Sequence, residues 1–212
     1  MIITKQKSIN DILQLIDKGP VFILGCSECA TQCKTGGESE VLTMKQTLEQ
    51  HKITITGWKI LDPACNKLNT KRLLKEDKAA IERAKTLLVL ACGNGIQTIA
   101  GLYENLNVIP GTDTLFLGEI QHANEFDKRC SMCGECLLDI FGGICPITRC
   151  PKSMLNGPCG GVHNGKCEIN KNIDCIWTQC IIILKNKHKQ DTLKTIQPPK
   201  DWSQSIETHR CI

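Results

Sequence analysis

The sequence predicts an α/β fold, an open and mostly parallel sheet domain followed by a small cysteine-rich module, and three observations support this. Short apolar strand-like runs alternate with helical patterns over residues 1–118. The periodic apolar pattern then fails over 119–184, where cysteine and glycine dominate. Strands that alternate with helices of ten or more residues need right-handed crossovers, and these give a parallel sheet.

The elements follow in order. Ser8 opens an amphipathic stretch in which Ile9, Ile12, Leu13, Leu15 and Ile16 mark one helical face, and Gly19-Pro20 stops it. Val21–Leu24 is a short buried-type strand. Gly36-Gly37 precedes a second helix that runs to about Gln50. Ile53–Leu61 is β-branched and strand-like, and a long helix is expected over about 67–84. Thr86–Ala91 reads as a third buried strand and Ile96–Glu104 as a helix. Val108–Ile109 and Leu115–Leu117 are candidates for further strands. Beyond residue 184, Lys185, Lys187, Lys189, Lys194 and Lys200 gather around Pro198-Pro199, which predicts an extended basic tail over 185–212.

Composition narrows the function. A net charge of +4 is too mild for the strongly basic face of a nucleic-acid protein, and 4% aromatic residues leave few stacking platforms for bases. No apolar run approaches the ~18 residues that span a bilayer. Asp11, Asp17 and Lys18 interrupt the N-terminal region where a signal peptide needs an apolar stretch. Fifteen cysteines, an odd number, therefore read as thiolates in a reducing, cytoplasmic compartment rather than as a secreted disulfide scaffold.

The cysteines fall into two groups. Cys26, Cys29 and Cys33 have the spacing C-x2-C-x3-C directly after the first strand; Cys65 follows the second strand and Cys92 the third. Ligand crevices form at the carboxyl edge of such a sheet, so these five are expected to converge. Four thiolates suffice for a [4Fe–4S] cluster. Cys26, Cys33 and Cys92 are the first choices, with Cys29 and Cys65 competing for the last place. Gly93-Asn-Gly95 opens a helix after a strand, but Thr98 stands where a dinucleotide fingerprint needs its third glycine.

In the second group, Cys130, Cys133 and Cys136 form C-x2-C-x2-C, a spacing that returns three sulfurs to one centre. Cys145-Pro146 and Cys150-Pro151 each offer a completing cysteine, the first after an eight-residue interval. With Cys159, Cys167 and Cys175 the set reaches eight, enough for two four-cysteine sites. One division joins Cys130, Cys133, Cys136 and Cys150, leaving Cys145, Cys159, Cys167 and Cys175; the reverse assignment of Cys145 and Cys150 is equally open. Two to three [4Fe–4S] clusters are expected over the chain, with zinc competing for one four-thiolate site. Cys180 and Cys211 are not expected to be ligands. Glu28, Glu38, Glu119, His122 and His163 read as solvated side chains, and Trp177 as packing.

Residues 129–177, RCSMCGECLLDIFGGICPITRCPKSMLNGPCGGVHNGKCEINKNIDCIW, closely resemble the cysteine-rich C-terminal domain associated with methylenetetrahydrofolate reductase. GCSECATQCKTGGESEV (25–41) and LACGNGIQTIA (90–100) are similar to the α/β portion of that enzyme's small partner subunit in acetogenic and related anaerobic bacteria. PPKDWS is similar to the family's tail. The resemblance implies a non-catalytic subunit of an oxidoreductase complex. Its large partner, a TIM barrel, would hold FMN and the folate. This chain would carry electrons from a donor protein, a ferredoxin or an NADH-linked module, to that flavin. The flavin would in turn reduce 5,10-methylenetetrahydrofolate to 5-methyltetrahydrofolate in the reductive acetyl-CoA pathway. Cys180, Cys211 and the second cysteine-proline pair depart from the family pattern.

Overall fold

The computed structural model describes residues 1–122 and 125–206, so Cys211 lies outside the described residues. Contacts divide the chain into two compact units, Met1–Phe116 with His122–Asn124, and Leu117–Gln121 with Glu125–Ile212.

The first unit begins with β1 (Ile2–Gln6) and α1 (Ile9–Leu15). The Ser8 hydroxyl accepts the Asp11 N–H at 3.2 Å and so supplies the cap that an unsatisfied helix start needs. Next come β2 (Val21–Cys26), α2 (Cys29–Gln32), α3 (Glu38–Gln50) and β3 (Ile55–Leu61). The helices α4 (Lys67–Leu73) and α5 (Lys78–Arg83) follow, then β4 (Thr86–Leu90), α6 (Gly93–Ala100) and β5 (Asn107–Pro110). Four strands form a wholly parallel sheet of order β3-β2-β4-β5. Every residue of β2 and β4 is buried, as apolar runs at the middle of a two-sided sheet must be.

Alternation along the strands divides the core. Phe22, Leu24, Leu87 and Val89 face one layer with Leu74, Ile81 and Ile99 from the α4, α5 and α6 side. Val21, Ile23, Leu88 and Leu90 face the other with Ile12 of α1 and Val41, Met44 and Leu48 of α3. Truncating one of these side chains, Leu24 for example, to alanine would cost about 3 kcal/mol. With helices on both faces the unit is doubly wound, and the strand order reverses between β2 and β4. Their carboxyl ends flank the switch point where ligands settle in such sheets.

Two features of this unit correct the expectation from sequence. β1 is a strand, tied in by a buried 2.6 Å hydrogen bond between the Thr4 and Thr35 hydroxyls. The helix expected over 67–84 is two. Leu74 caps α4 by donating to the Thr70 carbonyl at 3.0 Å, and Lys59 on β3 holds Glu76 and Asp77 at 2.7 and 2.8 Å. That pair of charges anchors the intervening turn to the sheet.

The strand β6 (Thr112–His122) is divided between the units, and the three-stranded order is β1-β6-β7, with β7 at Glu125–Cys130. Arg129 of β7 pairs with Glu119 of β6, and the Gln121 amide reaches Asp127 at 3.4 Å, an antiparallel register. The rest of the second unit is loop, the single-turn α7 (Pro146–Arg149) and α8 (Ile176–Asn186). Its densest packing joins Phe141, Ile176, Trp177 and Cys180; the Phe141 and Trp177 rings meet edge-on with centroids 5.3 Å apart. Beyond α8 the expected extended tail contains a 3-10 helix at Gln190–Lys194 and α9 at Ser203–Ile206. Among the described residues no helix is long and apolar enough to cross a membrane.

Candidate metal centres

Close backbone approach shapes the first group. A Cβ on Gly36 would run into the carbonyl oxygen of Leu90, so only glycine lets this loop lie against the end of β4. The Gly36 carbonyl accepts the Cys26 N–H at 2.9 Å, which pins the 27–36 segment over β2. Cys26, Cys65 and Cys92 are placed at or just after the ends of β2, β3 and β4, and their thiols interact electrostatically. Cys29 joins them through Cys65. Cys33 is buried, and its thiol donates to the Ile2 carbonyl at 3.7 Å, while the Ile2 N–H donates to the Cys29 sulfur at 3.4 Å. Both sulfurs therefore border the same residue of β1, a connection the spacing gave no sign of.

Two thiols of the crevice, Cys26 and Cys65, favour their neutral form. Burial pushes the Cys26 thiol up; backbone hydrogen bonds from Ala64 and Glu28 work against that, and Cys92 and Cys65 add to it. Burial likewise raises Cys65, with Cys92 next in effect. Like charges gathered in a partly desolvated crevice are what a bound cation relieves, because metal replaces the protons.

In the second unit Met132 and Gly134 adopt left-handed backbone, φ 53° and 85°, and these reversals fold the 130–136 loop back on itself. Cys130, Cys133, Cys136 and Cys145 line one cavity of about 70 Å³. The Met132 N–H donates to the Cys130 sulfur at 3.2 Å, a backbone bond of the kind that tunes a thiolate-bound metal. Cys150, Cys159, Cys167 and Cys175 line another cavity, of about 20 Å³, with Trp177 in its wall. The cavity linings thus group Cys145 with Cys130, Cys133 and Cys136, and Cys150 with Cys159, Cys167 and Cys175, the alternative that spacing leaves open. The reason is local: Cys145 and Cys150 are the N-cap and C-cap of α7, and one helical turn carries them to different cavities.

Two charged groups near these sets escaped the sequence reading. Glu168 accepts from the Cys159 thiol at 3.3 Å and from Lys152 at 2.5 Å, and these contacts hold its carboxyl below the usual range. Lys200, in the tail, lies against Glu135 beside Cys136. No spacing rule points to either. Trp177 packs as expected and donates its indole N–H to the Met154 carbonyl at 3.2 Å. His163 takes part in a small bridge with Lys166.

All fourteen described cysteines are free thiols, and no three His, Cys, Asp or Glu side chains among the described residues stand in a metal-coordinating arrangement. The donor chemistry still suits a thiophilic centre: the cysteines of each C-terminal set line one cavity, and the Ile2 and Met132 amides donate to the Cys29 and Cys130 sulfurs.

Fold and sites together define a cysteine-rich α/β protein with thiol groups gathered in both units. Residues 109–203 match the family described as methylene-tetrahydrofolate reductase C terminal. The match covers both four-cysteine sets and leaves the 26–92 crevice outside it. Comparison with curated proteins and with solved structures yields no match.

Proposed function

We propose that the chain is the iron–sulfur electron-transfer subunit of a methylenetetrahydrofolate reductase complex, delivering electrons to the FMN of a large catalytic subunit. The observation that carries this reading is the sorting of the eight C-terminal cysteines into two sets of four inside the family segment. The crevice cysteines add a further set. Cavities of about 70 and 20 Å³ suit inorganic centres, since pockets for flavins and folates run to ~300 Å³ or more.

Cys26, Cys29, Cys65 and Cys92 would hold one [4Fe–4S] cluster, with Cys33 alongside, and Cys130, Cys133, Cys136 and Cys145 another. Such clusters supply one-electron carriers whose potential follows hydrogen bonding to sulfur and exposure. The chain's own part is to shield and orient. The Ile2 and Met132 amides donate to ligand sulfurs, and the buried sheet end excludes water from Cys26 and Cys92. Met132, Ile169 and Ile196, 60%, 60% and 81% exposed, leave apolar surface on the second unit that suits a chain working within an assembly.

The narrow 150–175 set favours a second reading for that site alone. A single zinc ion, tetrahedral in four thiolates, matches a space of about 20 Å³ and would serve a structural, adaptor role.

The test is iron, sulfide and zinc content per chain after oxygen-free purification, with visible spectra before and after dithionite. The expected result is iron and sulfide in equal amounts and an absorption that bleaches on reduction. Colourless, iron-free protein would overturn the electron-transfer reading.

A further inference from the structure

The α4 side of the first unit carries a basic surface with an apolar centre. Lys67 and Lys71 stand one turn apart on α4, with Leu68 and Arg72 beside them, and Lys75 and Lys78 continue the series. Leu68 is 84% exposed. Among the described ion pairs Lys67, Lys71, Arg72 and Lys75 have no carboxylate partner, and Lys78 meets only Glu82 at 3.6 Å. The two acids within the stretch, Glu76 and Asp77, are both engaged by Lys59; Arg72 also acts on Glu76 electrostatically and donates to the Asn69 side chain at 2.9 Å. Across the helix ends lies a cleft of about 230 Å³ whose rim is Lys71, Lys75 and Lys78 and whose floor is Leu74, Leu102 and Tyr103. An apolar hole inside a ring of ammonium groups has the anatomy of a recognition surface, with an anchor site at the centre and charges at the edge.

The surface also has a place in the chemistry of the crevice. α4 starts two residues after Cys65, which is an exposed cysteine of that group. Two acids border the thiols, Glu28 and Asp62, and the Asp62 carboxylate accepts from the Ser27 hydroxyl at 2.9 Å. Lys67, Lys71 and Lys75, which meet no carboxylate among the described ion pairs, outnumber them.

We infer that this face docks an acidic one-electron carrier protein, its carboxylates set against Lys67, Lys71, Arg72 and Lys75 and an apolar side chain seated in the Leu74–Tyr103 cleft. The inference rests on the redox reading of the crevice given above. Cys26, Cys29, Cys65 and Cys92 would hold the centre that accepts one electron from the carrier; the carrier would be oxidised and the centre reduced, with no bond made or broken. Charge complementarity of this kind sets encounter rate and orientation, and salt screens it.

The test uses the full chain, purified without oxygen, and an acidic bacterial ferredoxin as probe. Calorimetry at 20 and 300 mM NaCl should show binding that weakens about tenfold or more at high salt. The double variant Lys71→Glu/Lys75→Glu should bind about tenfold more weakly at low salt and lose most of the salt dependence. Lys185→Glu/Lys189→Glu, the same charge change on the other unit, should bind as the unaltered chain does. In stopped flow, Lys71→Glu/Lys75→Glu should slow bleaching by reduced ferredoxin and leave bleaching by dithionite unchanged. The inference is overturned if the unaltered chain does not bind, if the two double variants behave alike, or if heparin competes for the face as tightly as ferredoxin. Failure of dithionite itself to bleach the chain would instead sink the redox reading, and calorimetry would still report on docking.

Discussion

Lys200 reaches back from the tail to Glu135, donating to its backbone carbonyl at 2.7 Å and to its carboxylate at 2.6 Å, with only 7% of the lysine side chain exposed. A second tie lies nearby. The Gln197 N–H donates to the Asn156 side chain at 2.7 Å, and Asn156 returns a bond to the Gln197 carbonyl at 2.8 Å. Residues 197–200 therefore fasten the loop before Cys136 and the loop before Cys159.

Lys200→Met should destabilise the second unit by about 2 kcal/mol, since hydrogen bonds to a largely buried charge are worth more than neutral ones. Scanning calorimetry would register a melting point several degrees lower, and chelators should strip metal faster from the set that includes Cys136. Equal stripping rates in the variant and the unaltered chain would show that the tail does not secure that loop.

The division of the eight cysteines makes a separable prediction. Cys133→Ser and Cys145→Ser should each lower metal content by one centre and give matching spectra. Cys150→Ser and Cys159→Ser should match each other and differ from the first pair. If Cys150→Ser paired spectroscopically with Cys133→Ser, the structural sorting would be wrong.

Gly36→Ala should be severe. The added methyl would run into the Leu90 carbonyl and Cβ, and backbone cannot move aside as the far end of a flexible side chain could. A loss of more than about 3 kcal/mol is expected, together with displacement of the segment bearing Cys29 and Cys33. Urea unfolding followed by circular dichroism measures the first effect, and metal content of the folded fraction the second.

Cys180 is fully buried, and burial pushes its thiol up from an ordinary 9.0 to about 11, with Arg149 opposing and Cys175 adding to the rise. It lines neither four-cysteine cavity. Cys180→Ala should therefore keep the full metal content. A raised thiol means that the folded chain holds this proton after the unfolded chain has lost it. The stabilisation is complete below pH 9 and disappears as pH climbs from 9 toward 11, by about 2 kcal/mol at most. Melting curves across that range should show the unaltered chain losing its advantage over Cys180→Ala. A constant difference would mean that the thiol does not titrate as its surroundings dictate.

The parts of the fold readable from sequence were those set by local pattern. Val21–Leu24 and Thr86–Ala91 are continuous apolar runs, and only a strand covered on both faces uses such runs. The break between α4 and α5 was hidden because Leu73, Leu74 and Ile81 sustain a helical period straight through it; Lys59, from a distant strand, imposes the turn. Of β6 the sequence marks only Leu115–Leu117, and it gives no sign of β7, because both strands are largely exposed and lack clean alternation. Strand-following position in the sequence points to Cys26, Cys65 and Cys92, whose thiols interact electrostatically; Cys33 follows the helix α2 and contacts Ile2 instead. Spacing could not sort Cys145 from Cys150, because both precede proline and only the turn between them separates their directions. Lys200 lies 65 residues from Glu135, and its neighbours carry no periodic cue.

The four residues of α7 act as a ruler. A helical turn of that length advances about 6 Å and resists stretching, so the two four-sulfur sets stand at a separation fixed by backbone geometry rather than by pliable loop. Shortening the ruler by one residue would swing Cys150 around the axis by about 100° and leave one set with three sulfurs. Under the electron-transfer reading proposed above, the gap between the two centres would be written into four consecutive residues, and a change there would alter reach and ligation together.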